Sequence, residues 1–396
     1  MKASYIQASV GLYSNYFLLG MVNIILSSHM AYLTAQWNTD STGVSYIIAA
    51  IGFGKLLSYS SFGILSDKIG RKPLLIFASI AMVVFAVAIP LTTNYYVALL
   101  FAILAGFGNA AMDAGSYPAL VEMFKKKAGS ANVMVKAFMA VGAIILPFVI
   151  LFLSENGLFY GYAFYLLAII YIINLIILIW SNFPRQSEIS EAFQTEEKTG
   201  ADDMELNPKF WTEGIALIII GFTSTALFTV AQIWLPSYGE QVIGLPVNDS
   251  VKLLSYYSMG SLLSVIILAF VLNKLIRPVT VLIVYPILTA ITVMLILTVK
   301  DPAFMIVGAF FLGFSTAGIL QLAITIMTEL FWRKKGTVTG LVATASSVAA
   351  VALPIATGLI AKHGDIAHIF MFDGFVALIG IVAACVVRFR YLSLVK

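Results

Sequence analysis

The sequence predicts an all-α membrane protein of twelve transmembrane helices arranged as two six-helix halves. Three observations predict it: an apolar composition, twelve apolar runs of spanning length, and basic residues that favour alternate loops. Of the 396 residues, 61% are hydrophobic and 11% are charged, against roughly 25% charged in soluble domains. A chain of this make-up has lipid, not water, as the solvent for most of its surface. A spanning helix needs about 20 apolar residues, so this length accommodates twelve with short connections.

Apolar runs near 8–34, 43–64, 74–92, 95–122, 131–153 and 158–182 make up the first half. Those near 211–238, 250–272, 279–299, 303–330, 337–361 and 368–387 make up the second. The first run is longer than a signal-peptide core and lacks a small-residue cleavage site, so it reads as a retained helix. Between the halves, 185–209 carries seven acidic and three basic residues with almost no apolar run. It reads as a solvated linker. The expected organisation is an N-terminal bundle over 1–184, a cytoplasmic linker over 185–209 and a C-terminal bundle over 210–396.

The loop charges orient these spans. One set of loops holds Lys68, Arg71 and Lys72, then Lys125, Lys126 and Lys127, then Lys274 and Arg277, then Arg333, Lys334 and Lys335. The other set holds Lys252, Lys300 and Lys362. With termini and linker included, the 23 basic residues divide as 18 on one side, 3 on the other and two inside spans. Basic residues stay on the cytoplasmic side, which predicts a multi-pass protein of the bacterial cytoplasmic (plasma) membrane with both termini in the cytoplasm. The net charge of +4 is scattered over short loops and makes no nucleic-acid-binding face. Cys385 is the single cysteine, which excludes a disulfide framework and a Cys-based metal site. No phosphate-binding loop, zinc motif or nucleophile motif occurs. The chain therefore reads as no enzyme and as needing no cofactor, and its energy must come from a gradient.

The halves are related. At an offset of 207 residues, Gly106-Phe107 falls on Gly313-Phe314 and Ala110 on Ala317. Glu122, Phe124, Lys127 and Gly129 fall likewise on Glu329, Phe331, Lys334 and Gly336. Parallel repeats of this kind build secondary carriers.

Spans two and three are joined by Gly63-Ile-Leu-Ser-Asp67-Lys-Ile-Gly70-Arg71-Lys72-Pro73. This resembles the signature loop of the major facilitator superfamily, Gly-x-Leu-x-Asp-Arg-x-Gly-Arg-Lys, with Lys68 in place of the first Arg. The resemblance implies a monomeric carrier with two bundles related by pseudo-two-fold symmetry. It also implies a conformational latch at Gly63, Asp67, Gly70 and Arg71. In physical terms, the two glycines permit tight turns and close helix approach, and Asp67 can accept charge-assisted bonds from nearby bases. The bland reading of the bases is that they only enforce topology. The counterpart, Leu272-Asn-Lys-Leu-Ile-Arg277-Pro278, lacks the Asp and the Gly, so a latch here is asymmetric.

Drug antiporters of the superfamily usually carry a Gly-x-x-x-Gly-Pro-type motif in the fifth span. Here that span reads Lys136-Ala-Phe-Met-Ala-Val-Gly142-Ala-Ile-Ile-Leu-Pro147, which weakens that reading. The stretch Ala105-Gly-Phe-Gly-Asn-Ala-Ala-Met-Asp113-Ala-Gly-Ser-Tyr-Pro118, followed by Lys136-Ala-Phe, is similar to a group of bacterial facilitators. Some of these are associated with quinate and shikimate metabolism.

Ionisable residues inside spans are costly, and they face a cavity or a partner. Lys55 lies twelve residues before Asp67, about 18 Å deep at the helical rise. Asp113 lies nine before Glu122, about 13 Å deep. For Lys55 two readings stand side by side, an anchor for an anionic substrate and a buried pair with Asp113. Asp113 is the candidate carrier of a coupling proton, since burial and a nearby ammonium pull its protonation in opposite directions. Lys136 either meets substrate, snorkels to headgroups or pairs with Glu122.

Polar stripes at helical spacing complete the candidate site: Tyr16, Gly20, Asn23 and Ser27 in span one, and Asn109, Asp113 and Tyr117 in span four. Span seven offers Thr225, Thr229, Gln232 and Pro236, and span ten Gly318, Gln321, Thr325 and Thr328. The resemblance places these four spans around a central cavity. Tyr16, Trp234, Tyr256 and Tyr257 are aromatic candidates for stacking or gating, with packing or interfacial anchoring the commoner role of such residues, as back-bonding to the helix is for a single Ser or Thr. His29 reads as an interfacial residue, and Asp373 as facing the headgroups. The expected substrate-binding set is Tyr16, Asn23, Lys55, Asn109, Lys136, Gln232, Tyr256 and Gln321, with Asp113 coupling protons. The expected activity is proton-coupled symport of a small polar organic solute, an anion of the quinate or shikimate kind. The rival expectation is a proton-coupled exporter of drugs or metabolites.

Overall fold

A computed structural model of the chain describes residues 5–124, 128–183, 209–272, 276–331 and 335–394. Almost all of the expected linker, 185–208, lies outside these residues. So do 125–127, 273–275 and 332–334, with the loop lysines and arginine assigned to them. Among the described residues, twelve spans are long and apolar enough to cross a membrane, and no strand occurs. The first half comprises span one (Ile6–Ser28), two (Ser41–Ile69), three (Arg71–Leu91), four (Tyr95–Phe124), five (Ala128–Glu155) and six (Tyr162–Trp180). The second comprises seven (Ile215–Gln241), eight (Val247–Val271), nine (Pro278–Thr298), ten (Pro302–Leu330), eleven (Lys335–His363) and twelve (Ile366–Leu394).

Local chemistry explains where these helices start and stop. Asp40 accepts a bond from the Gly43 backbone at 2.9 Å and starts span two, and Asp301 does the same for Phe304 at the head of span ten. Pro278 and Pro302 open spans nine and ten, where a missing N–H costs nothing. Gly70 alone separates spans two and three. It adopts φ +90°, a region closed to most side chains, and so turns the chain within one residue. Lys72 then reaches the end of span six and donates to the carbonyls of Ile179 and Ser181 at 2.6 and 3.0 Å. These are orphan acceptors of a helix C-terminus, so Lys72 has a capping role beyond topology.

Two predicted spans are interrupted. The run 8–34 breaks at His29, and a short helix, Met30–Gln36, follows. Gln36 and Trp37 tie it to span three by donating to the carbonyl of Thr92 at 2.6 and 2.9 Å. The run 303–330 is also not one helix. Its first segment ends at Thr316, Gly318 takes φ +79°, and a second segment begins at Ile319.

Glycine contacts set the packing inside each half. A Cβ at Gly54 would collide with the carbonyl oxygen of Ile103, and one at Gly106 with that of Ile51, which locks span two onto span four. In the second half Gly260 meets Phe310 and Gly313 meets Tyr257 in the same manner, between spans eight and ten. Ile103 and Gly106 map onto Phe310 and Gly313 at the sequence offset of 207, so the sequence repeat is a repeat of helix crossings. Gly142 of span five lies against the carbonyl of Phe17 in span one, a packing role.

The halves meet mainly through spans two with eleven and five with eight. Among the described residues, three hydrogen bonds cross between them. Thr42 donates to the Gly358 carbonyl (2.8 Å), Ser45 to that of Pro354 (2.6 Å) and Ser255 to that of Ile144 (2.8 Å). All three lie toward the end opposite the Gly63–Pro73 loop. At the loop end, Gly63 and Gly340 face open space. Among the described residues, the expected close helix approach at Gly63 is therefore not present.

Candidate functional site

A cavity of about 310 Å³ lies between the halves, at the small end of the usual range for small-molecule sites. Tyr16, Asn23, Lys55, Asn109, Asp113, Lys136, Gln232 and Gln321 all line it. The expected stripes converge because residues three or four apart share a helix face, and the crossings above turn those faces inward. Thr225, Thr229 and Tyr117 join them. Spans two, five, eight and eleven contribute as well as one, four, seven and ten.

The centre of the site is an ion pair. Lys55 Nζ lies 2.7 Å from Asp113 Oδ2, and the Tyr16 hydroxyl donates to Asp113 Oδ1 at 2.9 Å. Asp113 is 8% exposed. With a donor on each oxygen, the carboxylate is in the surroundings its charged form needs. Lys55 also faces the Tyr59 ring, 5.7 Å from its centroid. Lys136 enters the same cavity from span five, within the electrostatic reach of both Asp113 and Lys55. Among the described residues no carboxylate lies within 4 Å of its ammonium. It turns into the cavity instead of snorkelling, and among the described residues it makes no ion pair with Glu122, which Arg71 holds.

The facing wall carries no charge among the residues lining it: Thr225, Gln232, Ser258, Gln321 and Ser346 are neutral and polar, and Phe228, Ile233, Val265 and Leu320 between them are apolar. Thr225 and Ser346 share a hydrogen bond of 2.7 Å, as do Tyr257 and Thr316. The interruption of span ten lies in this wall, with Thr316, Ala317 and Gly318 all lining it. Asn109 Oδ1 is buried without a partner.

Several expectations are corrected. Tyr256 does not line the cavity but packs on the apolar core, while Tyr257 takes the inward position, since neighbours on a helix point about 100° apart. Other candidates take the plainer structural roles open to them: Ser27 bonds back to the Ile24 carbonyl, Thr325 bonds back to the Gln321 carbonyl, and Trp234 is buried with its Nε1 on Thr357. His29 is 1% exposed amid Tyr32, Tyr160 and Phe164, so it is a packed residue and no interfacial one. Asp373 is 1% exposed and points into the second half, away from the headgroups. In the signature loop, Arg71 donates from Nε and Nη2 to Glu122 Oε1 at 3.0 and 2.9 Å, and from Nη1 to Ser66 at 2.8 Å. These bonds clamp spans two, three and four within one half. The side chain of Asp67 lies outside the described residues.

The sequence profile of the Major Facilitator Superfamily matches residues 12–299 and 253–393. The chain belongs to the Major Facilitator Superfamily. It is 57% identical over 395 residues to YfkL, an MFS-type transporter of Bacillus subtilis, covering 100% of this chain and 99% of the relative. It is 34% identical over 388 residues to YdiN, an inner membrane transport protein of Escherichia coli, covering 98% and 91%. In fold it is similar to a D-xylose-proton symporter, with a TM-score of 0.76 at 15% identity over 96% of this chain and 97% of the other. The nucleoside transporter NupG superposes with a TM-score of 0.74 at 11% identity, over 96% and 98%. This superfamily member is thus a multi-pass membrane transporter, and the cavity between its halves is where a solute would sit.

Proposed function

We propose that this transporter moves a small polar organic anion together with protons, by alternating access to the midplane cavity. The observation that carries the reading is the charge balance of the site. Lys55, Lys136 and Asp113 bring two ammonium groups and one carboxylate into a lining that is otherwise neutral. One positive charge is left over, and a carboxylate substrate supplies its counter-ion. The hydroxyl- and amide-bearing wall opposite suits a hydroxylated acid, which supports quinate- and shikimate-like compounds as the first candidates.

The proposed coupling follows from the pair. Protonation of Asp113 removes the charge that holds Lys55, which then joins Lys136 in binding the anion. Loss of the proton restores the Lys55–Asp113 bond and expels the anion. With the basic loops in the cytoplasm, the captured conformation is open inward, and its ionised, paired Asp113 fits the moment after release. Residues 1–184 would rock against 210–396, with the protein acting as a monomer.

Proteoliposomes test the reading. Uptake of labelled quinate, shikimate and other hydroxy acids should be driven by an outside-acidic gradient. Asp113→Asn should abolish that accumulation while leaving exchange of substrate across the membrane. Full acid dependence in the variant would remove the coupling role. Failure of every carboxylate to raise the melting temperature of the purified protein would remove the anion reading.

A further inference from the structure

Asp373 is the buried carboxyl that the cycle above leaves unused. It sits in the inward stripe of span twelve, flanked by Ile369, Phe370, Val376 and Ala377, all buried. The neighbouring Gly374 lies close to Val293 of span nine, and Phe370 packs edge-on against Tyr238 of span seven with ring centroids 4.7 Å apart. Among the described residues, neither carboxyl oxygen of Asp373 has a hydrogen-bond partner and no cation lies within 4 Å.

The groups that face this region from neighbouring elements are tyrosines. Tyr238 comes from span seven through its ring contact with Phe370, and Tyr257 from span eight, in electrostatic range of Asp373. Lys362, His363, Asp365 and His368 stand exposed at the far end of spans eleven and twelve. Glu213 and Arg390 pair with each other at 2.7 Å, toward the other end of span twelve. None of these is a counter-ion. An ionised carboxylate with neither a donor nor a counter-ion does not persist in a medium this apolar, whereas the neutral acid does.

Tyr257 is within electrostatic range of this acid and also lines the cavity. Its hydroxyl bonds Thr316 at 2.7 Å, and both side chains line the cavity wall where span ten is interrupted. The Gly318 turn divides span ten into two segments at this wall.

We propose that Asp373 is a second proton-binding site, neutral in this conformation and emptied into the cavity past Tyr257 and Thr316 when the halves rearrange. The inference rests on the proton-coupled reading but uses a different residue in the other half. In one conformation the two carboxyls hold opposite states, Asp113 ionised between donors and Asp373 neutral without any. Two such sites can hand over protons at different steps of a cycle.

The test needs no substrate. Spin labels at Ile64→Cys and Leu341→Cys, with Cys385→Ser, report the width of the loop end in nanodiscs across a pH titration. Wild type should leave the open state in two pH steps, Asp113→Asn removing one and Asp373→Asn the other. A parallel infrared titration should show a protonated-carboxyl band at neutral pH that persists in Asp113→Asn and is lost in Asp373→Asn. Should the Asn variant fail to fold, Asp373→Glu should keep the band and its pH step at a displaced midpoint. An unchanged titration and band in Asp373→Asn would overturn the site, as would a step seen only with sodium and not with choline. If only Asp113→Asn alters the titration, this inference fails alone. If neither does, proton coupling itself fails.

Discussion

Lys55 and Lys136 bring the same ammonium group into one cavity, yet they are under different constraints. Lys55 neutralises a buried carboxylate at 2.7 Å, so Lys55→Gln leaves Asp113 charged and unpaired. Stranding a buried charge costs about 3–5 kcal/mol, less here because the Lys55 side chain is 27% exposed. The melting temperature of Lys55→Gln should therefore fall, and adding Asp113→Asn should restore most of it. Lys136→Gln strands no partner and should melt close to wild type. It should instead raise KM for the anion about tenfold or more, the worth of one charge-assisted bond. Uptake kinetics decide this, and an unchanged KM in Lys136→Gln would leave the anion without its free anchor. Lys55, Asp113 and Lys136 were visible in the sequence because a charge inside an apolar run has few harmless explanations. The Lys55–Asp113 pair was one of two readings the sequence left open, since helix rotation and tilt decide which ammonium reaches the carboxylate. Tyr256 against Tyr257 shows the same limit: in a span apolar nearly all round, periodicity does not say which of two adjacent rings turns inward.

At the scale of helices, the glycine crossings matter more than any single buried side chain. Without a hydrophobic force between spans, close backbone approach supplies the packing energy. Gly106→Val and Gly313→Val should each force a crossing apart, at about 1–3 kcal/mol or more, and lower the yield of folded protein. Gly63→Ala and Gly340→Ala face open space in this conformation and should melt within a degree or two of wild type. A thermal melt of the four variants checks the contrast, and equal losses in all four would contradict it. The 207-residue repeat was readable, and it marks these crossings. The interruption of span ten was not, although Gly318 was in plain view. Glycine in a membrane helix serves packing as often as it serves a turn, and only the φ of +79° tells them apart. Asp373 was misplaced for a related reason. Seven residues from the start of span twelve is a rise of about 10 Å, too deep for the headgroups, and the inward stripe it shares with Phe370 and Ala377 needed the fold to be recognised.

For the molecule as a whole, the question is what holds the two halves in the state seen here. Residues Thr42 and Ser45 of span two are joined to Gly358 and Pro354 of span eleven, and Ser255 of span eight to Ile144 of span five. Hydrogen bonds from short hydroxyls to backbone carbonyls are individually worth about 1 kcal/mol. A clasp of that size holds a state yet yields to substrate and proton binding, as a carrier with two accessible states requires. A permanent clasp should convert the carrier into a one-sided vessel. Gly358 suits one, because a Cβ there would lie 3.3 Å from Thr42 Cγ2, a γ position of the kind a cysteine sulfur occupies. In a Cys385→Ser background, oxidised Thr42→Cys/Gly358→Cys protein should transport at background rate and recover with reductant. Substrate should still bind, because the cavity would stay open at the end carrying the Gly63–Pro73 loop. A bulky thiol reagent should reach a cysteine placed at Ser347 from the loop side only, in the cross-linked protein and the reduced protein at rest alike. Transport that survives complete cross-linking would mean that the halves pivot without parting at Thr42 and Gly358, and the rocking cycle proposed above would have to be abandoned.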